Sequence, residues 1–465
     1  MKRITTTLLA AFLSATVFSQ NITGQWNGVL KVQGIQLRLV FHVSKTDSGF
    51  VSTMDSPDQG AKDIPVTSTS FKDSTVIFTV ASATIEYKGI LGKDSIIVGD
   101  FKQAGRTIPL NLSRSIAEKA EIKRPQEPKK PYPYYAEDVK FENKTAGITL
   151  AGTLTLPKSD GVYPAVVLIT GSGPQNRDEE LLGHKPFLIL SDYLTRNGIA
   201  VLRVDDRGTA QSTGNFKTAT TADFATDVEA AVQYLLSRKE INKKKIGLIG
   251  HSEGGIIAPM VAERSSNVSF IILLAGTGIR GDKLLLLQDE LIEKADGASD
   301  SALAKNKSVS KGALDIVIKS TSTEQLKNDL TTYFKQYLKD NPNDKPANTS
   351  DDDFITQQVN GLSSPWMQYF IKYDPAGALE HVKCPVLAIN GSKDLQVPPK
   401  ENLPAIKAAL AKGGNKDVTT KELPGLNHLF QECKTGSPSE YASIEQTFSP
   451  TALSVILEWI QKEVK

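Results

Sequence analysis

Hydrophobic residues alternate with polar ones over short stretches in the first part of the chain. This pattern predicts strands at Ile35–Val43, Thr75–Val80, Thr84–Tyr87 and Ser95–Gly99. Turn-forming residues such as Asp73-Ser74 and Gly92-Lys93-Asp94 separate them, which is typical of strands joined by tight connections. Because the strands follow one another without helices, residues 20–115 are predicted to form a small antiparallel all-β domain, either a barrel or a sandwich.

Residues 116–136 differ in composition from the segments on either side. Lysine and glutamate are mixed here with Pro125, Pro128, Pro131 and Pro133. A charged, proline-rich stretch favours an extended and semi-rigid chain. We therefore interpret it as a linker between the β domain and a second domain that occupies residues 137–465.

The second domain shows a different period. Val139–Asn143 and Ile148–Leu156 predict an antiparallel pair of strands, and apolar strands then alternate with helical stretches. The further strands are predicted at Tyr163–Thr170, Ile199–Val204, Lys245–Gly250, Val268–Leu274, Val386–Asn390 and Val418–Leu423, and helices at Pro186–Asn197, Thr221–Arg238, Leu403–Lys412 and Pro450–Val464. Strands that are apolar on both faces and alternate with helices predict a parallel sheet covered on both sides, an α/β architecture.

A segment at about 277–373 interrupts this alternation. It is rich in Lys, Asp, Leu and Ala, with helices predicted at Lys283–Lys294 and Thr323–Lys339 and a polar loop at Asn341–Asp353. Since such a length is uncommon for a simple connection, we expect an inserted helical cap.

The N-terminus resembles a secretory signal. Lys2 and Arg3 precede an apolar run, Leu8–Phe18, that is too short to span a bilayer. We expect a signal peptide at residues 1–19, cleaved near Ser19 or Gln20, and a secreted or periplasmic protein without a membrane anchor.

Composition adds little to the functional picture. The formal net charge of +2 gives no reason to expect a nucleic-acid partner. The two cysteines, Cys384 and Cys433, either pair in an oxidising compartment or remain free thiols, and the sequence leaves both alternatives open.

The chemistry of the chain centres on Gly250-His251-Ser252-Glu253-Gly254, a G-x-S-x-G motif. An apolar strand precedes it and a helix-forming run follows it, which is the context of a nucleophile at a sharp strand-to-helix turn. The turn exposes Ser252 in a strained backbone conformation, where side chains at Gly250 or Gly254 would clash. We therefore interpret Ser252 as a nucleophile.

A serine nucleophile needs a base, and the chain has five histidines. His42 lies in the β domain, His184 precedes the nucleophile, His251 is held by the turn, and His381 is expected at the surface. His428 follows the last predicted strand, at the same edge of the sheet as Ser252. Asp394 follows the strand Val386–Asn390 and reaches this edge too. We predict a Ser252, Asp394, His428 triad, in the chain order typical of this architecture.

An oxyanion hole requires two N–H groups. We expect one from Glu253, and the other from Ser172 or its neighbour Gly173 in the loop that follows Gly171. This loop lacks the third glycine of a dinucleotide fingerprint, and the sequence contains no metal-binding or Walker motif. Neither a cofactor nor a metal is therefore expected.

These motifs resemble those of the α/β-hydrolases, in particular the serine esterases and the S33-type aminopeptidase-like group. The resemblance covers the chain from about Asp138 onward and rests on Leu168–Asp178, Asp205–Gly208, Gly250–Gly255, Gly391–Asp394 and Asn427-His428. The resemblance implies acyl-enzyme chemistry without a cofactor. The combination of motifs resembles that of secreted bacterial carboxylesterases with an extra N-terminal β domain. Ala210 departs from the family pattern, which usually has a further glycine there.

The sequence thus predicts a secreted carboxylesterase that acts on a small-molecule ester, with a short to medium acyl chain fitted under the cap. An S33-type peptidase and a glycan deacylase acting on acetyl or feruloyl groups are the enzymatic alternatives. In a third, non-enzymatic alternative, the β domain binds a ligand and the hydrolase part is a scaffold.

Overall fold

A computed structural model describes most of the chain after the predicted signal. The described residues are 21–32, 35–59, 61–103, 106–116, 123–342, 344–345 and 349–465. The signal peptide expected at residues 1–19, with its cleavage site, lies outside them, as do residues 117–122 of the expected linker. The chain divides into two compact units, with the division at about residue 120.

The first unit is an antiparallel meander of eight strands. They are β1 (Gly24–Val32), β2 (Ile35–Thr46), β3 (Gly49–Ser56), β4 (Ala61–Lys72), β5 (Thr75–Val80), β6 (Ile85–Leu91), β7 (Ile97–Gln103) and β8 (Arg106–Leu112), and each pairs with the next in the chain. Asn27 in β1 and Ser113, which directly follows β8, exchange two backbone hydrogen bonds of 2.8 and 2.9 Å. The sheet therefore closes on itself as an up-and-down barrel, one of the two forms that the strand pattern predicts.

Side chains fill the interior of this barrel. Trp26, Phe41, Phe78 and Tyr87 are fully buried, and the rings of Phe41 and Phe78 stack at 4.5 Å. Inward and outward positions alternate along β5, as the sequence pattern predicts. The predicted strands correspond to β2, β5, β6 and β7, whereas β1, β3, β4 and β8 were not predicted individually. In β4, most residues are small or polar and none is fully buried.

The second unit contains a mixed sheet of eight strands. They are β9 (Tyr135–Asn143), β10 (Ile148–Leu156), β11 (Tyr163–Ile169), β12 (Ala200–Val204), β13 (Ile241–His251), β14 (Phe270–Leu274), β15 (Val386–Gly391) and β16 (Val418–Leu423). Their order is β9-β10-β12-β11-β13-β14-β15-β16. Strand β10 is antiparallel to both of its neighbours, β9 and β12. The other neighbouring strands of the sheet, β12, β11, β13, β14, β15 and β16, are parallel to one another. The predicted pair and the predicted parallel sheet are confirmed, although β9 takes in the last two residues of the expected linker.

Helices cover both faces of this sheet. The helices α1 (Pro186–Arg196), α2 (Thr221–Ser237) and α3 (Gly254–Ala262) lie in the first half of the unit. One apolar core joins α2 and α3 to one face, and a second core joins α1 and the C-terminal helix to the other. This two-sided burial explains why the central strands are apolar throughout.

Among the described residues, six helices lie between β14 and β15, and the first five of them form one group. These five are α4 (Gly281–Ala295), α5 (Asp300–Lys319), α6 (Thr323–Asp340), α7 (Asp351–Ser363) and α8 (Pro365–Lys372), and they share an apolar core of their own. The predicted loop at Asn341–Asp353 is wrong at its end, where α7 begins. Ser350 caps this helix by accepting the N–H of Asp353 at 3.1 Å, and acidic residues in its first turn favour the helix start.

Three further helices complete the unit. They are α9 (Ala376–Leu379), α10 (Pro399–Lys412) and α11 (Pro450–Glu463). The part of the linker that the structure describes has no regular secondary structure before β9, but it is anchored to the second unit. The guanidinium of Arg124 donates to the carbonyl oxygens of Leu182, Gly183, Ala442 and Ile444 at 2.6–3.2 Å. This end of the linker is therefore fixed to the second unit.

Candidate active site

Ser252 lies in the sharp turn between β13 and α3. Its φ of +52° is unusual for a residue with a side chain, and its N–H donates to the carbonyl of Leu274 at 2.9 Å. A Cβ at Gly250 would lie 2.0 Å from the carbonyl oxygen of Gly254, and a Cβ at Gly254 would lie 2.3 Å from that of Ile169. The turn therefore requires glycine at both positions, as the motif predicts.

Asp394 and His428 meet at the carboxyl ends of β15 and β16. Oδ2 of Asp394 lies 2.9 Å from Nδ1 of His428, and the two residues are only 2 % and 4 % exposed. The other carboxylate oxygen accepts the N–H groups of Gln396 and Val397 at 2.9 and 2.8 Å. The structure thus brings two of the predicted triad residues into contact, at the sheet edge where β13 delivers Ser252.

The predicted oxyanion donors lie on two sides of Ser252. Glu253 is the N-cap residue of α3, and Ser172 and Gly173 belong to the loop after β11. This loop passes beside the serine, since a Cβ at Gly171 would lie 3.2 Å from Cβ of Ser252. The structure leaves the N–H groups of Glu253, Ser172 and Gly173 without a backbone carbonyl acceptor among the described residues.

His251 has a role that the sequence did not indicate. Its Nδ1 lies 2.9 Å from Oε1 of Glu179, and its Nε2 lies 3.0 Å from the carbonyl oxygen of His428. The same Glu179 oxygen accepts the N–H of Gly171 at 2.7 Å. Burial lowers the pKa of His251, but the charge and hydrogen bond of Glu179 outweigh burial and raise the pKa above its ordinary value. The side chain that we expected to be held only by the turn therefore supports the loop of His428.

Two further carboxyl groups lie near the nucleophile turn, that of Glu253, which is buried, and that of Asp206, which is partly buried. Oε1 of Glu253 accepts from Oγ1 of Thr221 at 2.7 Å and from Nε1 of Trp366, in α8, at 2.8 Å. Burial raises the pKa of Glu253. Burial also raises the pKa of Asp206 to about 8. Both groups line a cavity of about 40 Å³ next to the loop after β11.

Asp206 also holds the loop on which the predicted oxyanion donors Ser172 and Gly173 lie. It accepts the hydroxyl of Thr170 at 2.7 Å and the N–H of Gln175 at 2.9 Å. These two contacts flank Ser172 and Gly173 in the sequence. The carboxyl group therefore fixes both sides of the loop segment that faces Ser252.

The remaining histidines and the cysteines lie in other environments. His42 pairs with Asp55 in the barrel at 2.9 Å, and His381 is exposed on the surface. His184 is fully buried and bonds to the carbonyl of Tyr441 at 2.8 Å, and burial lowers its pKa to about 4. Cys384 and Cys433 are free thiols. No described helix has both the length and the apolar character needed to cross a bilayer.

Comparison with protein families matches residues 146–413 to X-Pro dipeptidyl-peptidase (S15 family). The matched span is more than half of the 465-residue chain. It includes Ser252 and Asp394 and ends before His428. The match supports the broader assignment to the α/β-hydrolases, whereas it does not confirm the S33 group named above.

The chain is similar to the esterase EstD of Thermotoga maritima, with 26% identity over 299 residues that make up 64% of this chain and 62% of that protein. The chain therefore spans less than two thirds of the length of this relative. Among solved structures, it is similar to the α/β-hydrolase GrgF of Penicillium sp. sh18, with a TM-score of 0.45, 15% identity and coverage of 71% and 99% of the two chains. The esterase Pf2001 of Pyrococcus furiosus gives a TM-score of 0.45, 15% identity and coverage of 74% and 99%.

Proposed function

The chain belongs to the S15 (X-Pro dipeptidyl-peptidase) family of hydrolases, and we propose that it is a carboxylesterase that forms an acyl-enzyme on Ser252. The observation that carries this proposal is the buried contact of His428 with Asp394 at the sheet edge of a strained Ser252. The name of the relative EstD supports the ester as the bond that is cleaved.

In the proposed reaction, Oγ of Ser252 attacks the ester carbonyl while Nε2 of His428 accepts the hydroxyl proton. Asp394 holds Nδ1–H of the imidazole, so that Nε2 faces the serine and the imidazolium is stabilised. The N–H groups of Glu253 and of Ser172 or Gly173 bind the oxyanion of the tetrahedral intermediate. His428 then protonates the leaving alcohol, and a water molecule activated by the same base hydrolyses the acyl-enzyme.

The inserted helices are proposed to act as a cap that limits the acyl group to short or medium length. Trp366 in α8 supports this role, because it bonds to Glu253, the residue next to Ser252. A bulky helical insertion at the nucleophile turn would enclose the acyl chain and exclude water. The proposed substrate is thus a small ester, and a glycan-linked acetyl or feruloyl ester remains the alternative.

A peptidase is the second candidate, because the family match is to X-Pro dipeptidyl-peptidases. Such an enzyme needs a group that binds the free amino group of its substrate. Glu253, the acid next to Ser252, is 2 % exposed and already accepts hydrogen bonds from Thr221 and Trp366. This engagement of Glu253 favours the ester over the peptide as substrate.

Secretion or periplasmic export is proposed from the N-terminal sequence alone. The basic start and the short apolar run carry it. N-terminal sequencing of the protein exported by its native host would test it, since a mature chain that begins near residue 20 is expected.

A single set of assays tests the proposed activity. The purified protein and its Ser252→Ala variant are incubated with p-nitrophenyl esters of increasing chain length, an X-Pro dipeptide anilide and acetylated xylan. Turnover of the short esters by the native protein, lost in the variant, is expected. Cleavage of the anilide alone would move the protein to the peptidases, and release of acetate from xylan alone would make it a glycan deacylase. Unchanged ester turnover in the variant would refute the proposal.

A further inference from the structure

One carboxylate connects the two sides of the candidate active site. Glu179 lies in the loop between β11 and α1, is 4 % exposed, and has a φ of +52°. Its Oε1 accepts the N–H of Gly171, which begins the oxyanion loop, and it lies 2.9 Å from Nδ1 of His251. A residue with a side chain keeps a positive φ only where its surroundings hold it there, and these two contacts provide that restraint.

His251 extends this connection to the proposed base. It immediately precedes Ser252, and its Nε2 lies 3.0 Å from the carbonyl oxygen of His428. The rings of His251 and His428 are 4.8 Å apart, measured between centroids. A continuous set of contacts therefore runs from Gly171 through Glu179 and His251 to the backbone of His428, and it surrounds Ser252.

Both neighbours of the His251 ring are hydrogen-bond acceptors. A neutral imidazole has only one N–H, so it can satisfy either Glu179 or the His428 carbonyl, but not both. Both contacts are satisfied when the pair of Glu179 and His251 holds one additional proton, either as imidazolium and carboxylate or as imidazole and carboxylic acid. In either form the pair has no net charge, which suits its burial.

We infer that Glu179 and His251 are positioning residues of the hydrolase, which together set the oxyanion loop and the backbone of His428 against Ser252. This inference rests on the proposed function, because it assigns the pair a role in the reaction at Ser252. Neither residue contacts a reacting atom. The pair acts through the geometry of Ser172 and of His428.

The pair also predicts a pH dependence, whose direction follows from the contacts. Loss of the shared proton leaves one acceptor of His251 without a donor, so activity is expected to fall on the alkaline side. Replacing Glu179 by glutamine removes the carboxylate that raises the pKa of His251. The alkaline fall should then move to lower pH. Among the described residues, other titratable groups near the pair are Asp394 and His428, beside His251, and Asp206, beside Glu179.

The test compares Glu179→Gln, Glu179→Ala and His251→Asn with two matched controls, Glu180→Gln and His381→Gln, whose side chains are exposed. The kinetic parameters kcat and KM for a short p-nitrophenyl ester are measured from acidic to alkaline pH, together with the thermal unfolding of each variant. In Glu179→Ala and His251→Asn, kcat is expected to fall by about 10²-fold with little change in KM, as for a misplaced catalytic group. In Glu179→Gln, the loss in kcat should be smaller, and the alkaline fall in activity should move to lower pH. The controls should match the native protein.

Asp206 is an additional source of an alkaline limb, because burial raises its pKa to about 8. The same profile is therefore measured in Asp206→Asn. The inference is supported if the alkaline fall in activity persists in Asp206→Asn and moves to lower pH in Glu179→Gln. A limb that disappears only in Asp206→Asn, or a Glu179→Gln profile that superimposes on that of the native protein, would overturn it.

A fluorophosphonate probe separates this inference from the proposed substrate class. In its reaction, the serine oxygen bonds to phosphorus, fluoride leaves, and His428 takes the hydroxyl proton, so labelling requires no knowledge of the natural substrate. If the native protein is labelled on Ser252 but cleaves no ester, the proposed esterase activity fails, while the pH dependence of labelling in the Glu179 variants still tests the pair. If Ser252 is not labelled at any pH, both proposals fail.

Discussion

Nδ1 of His428 lies 2.9 Å from Oδ2 of Asp394, in a contact that is closed to solvent. Backbone N–H groups of Gln396 and Val397 hold the other carboxylate oxygen, so the acid cannot turn away from the ring. A carboxylate fixed in this way selects the tautomer with its proton on Nδ1 and leaves Nε2 free to accept a proton.

Replacement of Asp394 by asparagine should therefore reduce ester turnover by about 10⁴-fold, because the amide no longer selects that tautomer. The measurement is kcat for a short p-nitrophenyl ester at neutral pH, with thermal unfolding recorded alongside. Asp374→Asn is the matched control, since its carboxylate also accepts a backbone N–H two residues ahead, that of Ala376. A loss in Asp394→Asn no larger than in the control would contradict the role of Asp394.

The backbone of Ser252 provides a stability test that is independent of the substrate. At a φ of +52°, alanine retains the strain of the native serine, whereas glycine relieves it. Glycine also increases the entropy of the unfolded chain, which offsets part of the gain. The free energy of unfolding, measured with urea, should be up to about 1 kcal/mol higher in Ser252→Gly than in Ser252→Ala. Both variants should be inactive, and a more stable alanine variant would argue against strain at this turn.

The sequence predicted those features that depend on local patterns. Alternating or continuous hydrophobicity located β5, β10 and β11, and the motif around Ser252 defined its turn, since both signals lie within a few neighbouring residues. The polar strand β4 was missed because its partners, not its own hydrophobicity, hold it in the barrel. The helix α7 was partly read as a loop because its acidic first turn resembles a solvated connection.

The contacts of Glu179 could not be predicted in the same way. It lies 72 residues from His251 along the chain, and His251 lies 177 residues from His428. No period or spacing relates such positions, so only the folded sheet brings them together. His428 and Asp394 were located because each follows a predicted strand, and the parallel order of the sheet places both strand ends at one edge.

The carboxyl group of Asp206, whose pKa is raised in the fold, should make the protein less stable as the pH rises. In the unfolded chain its pKa is near the ordinary 3.8, whereas in the fold it is about 8. Between these values the folded state binds one more proton, so the free energy of unfolding falls by up to about 1.4 kcal/mol per pH unit. The free energy of unfolding of Asp206→Asn minus that of the native protein should therefore rise by about 1–2 kcal/mol from pH 6.5 to pH 8, measured with urea.

The titration of His184 is the reason that the comparison starts at pH 6.5. Its pKa in the fold, about 4, lies below the ordinary value of 6.5, so the stability that it contributes is lost as the pH falls through this interval. Above pH 6.5 it is neutral in both states, and its effect no longer opposes that of Asp206. An Asp206→Asn variant whose stability runs parallel to that of the native protein from pH 6.5 to 8 would show that the carboxyl group is ionised in the fold.

The linker is expected to contribute to the stability of the hydrolase unit. Arg124 donates to four backbone carbonyls in two separate loops. Arg124→Ala leaves these acceptors without their charged donor and should cost about 2 kcal/mol in the free energy of unfolding. Lys129→Ala, which removes an exposed linker cation, is the control and should have little effect. Equal losses in the two variants would mean that the anchoring of Arg124 is not maintained in solution.

The contact between Trp366 and Glu253 can be tested against Trp459, a buried tryptophan in α11. Nε1 of Trp366 donates to the buried carboxylate, whereas Nε1 of Trp459 has no partner among the described residues. Trp366→Phe removes a hydrogen bond from a buried acceptor and should lower the free energy of unfolding, measured with urea, by about 1–3 kcal/mol. Trp459→Phe removes only an unsatisfied donor and should leave the free energy of unfolding nearly unchanged.

The same pair of variants distinguishes a cap that is coupled to the nucleophile turn from one that is not. Loss of the Trp366 bond weakens the attachment of α8 beside Glu253, so the preference for short over long p-nitrophenyl esters should be reduced in Trp366→Phe and unchanged in Trp459→Phe. The measurement is kcat/KM across the chain-length series for each variant. If both variants keep the native preference while Trp366→Phe is destabilised, α8 stabilises the fold without limiting the acyl chain, and the proposed cap must act through other residues.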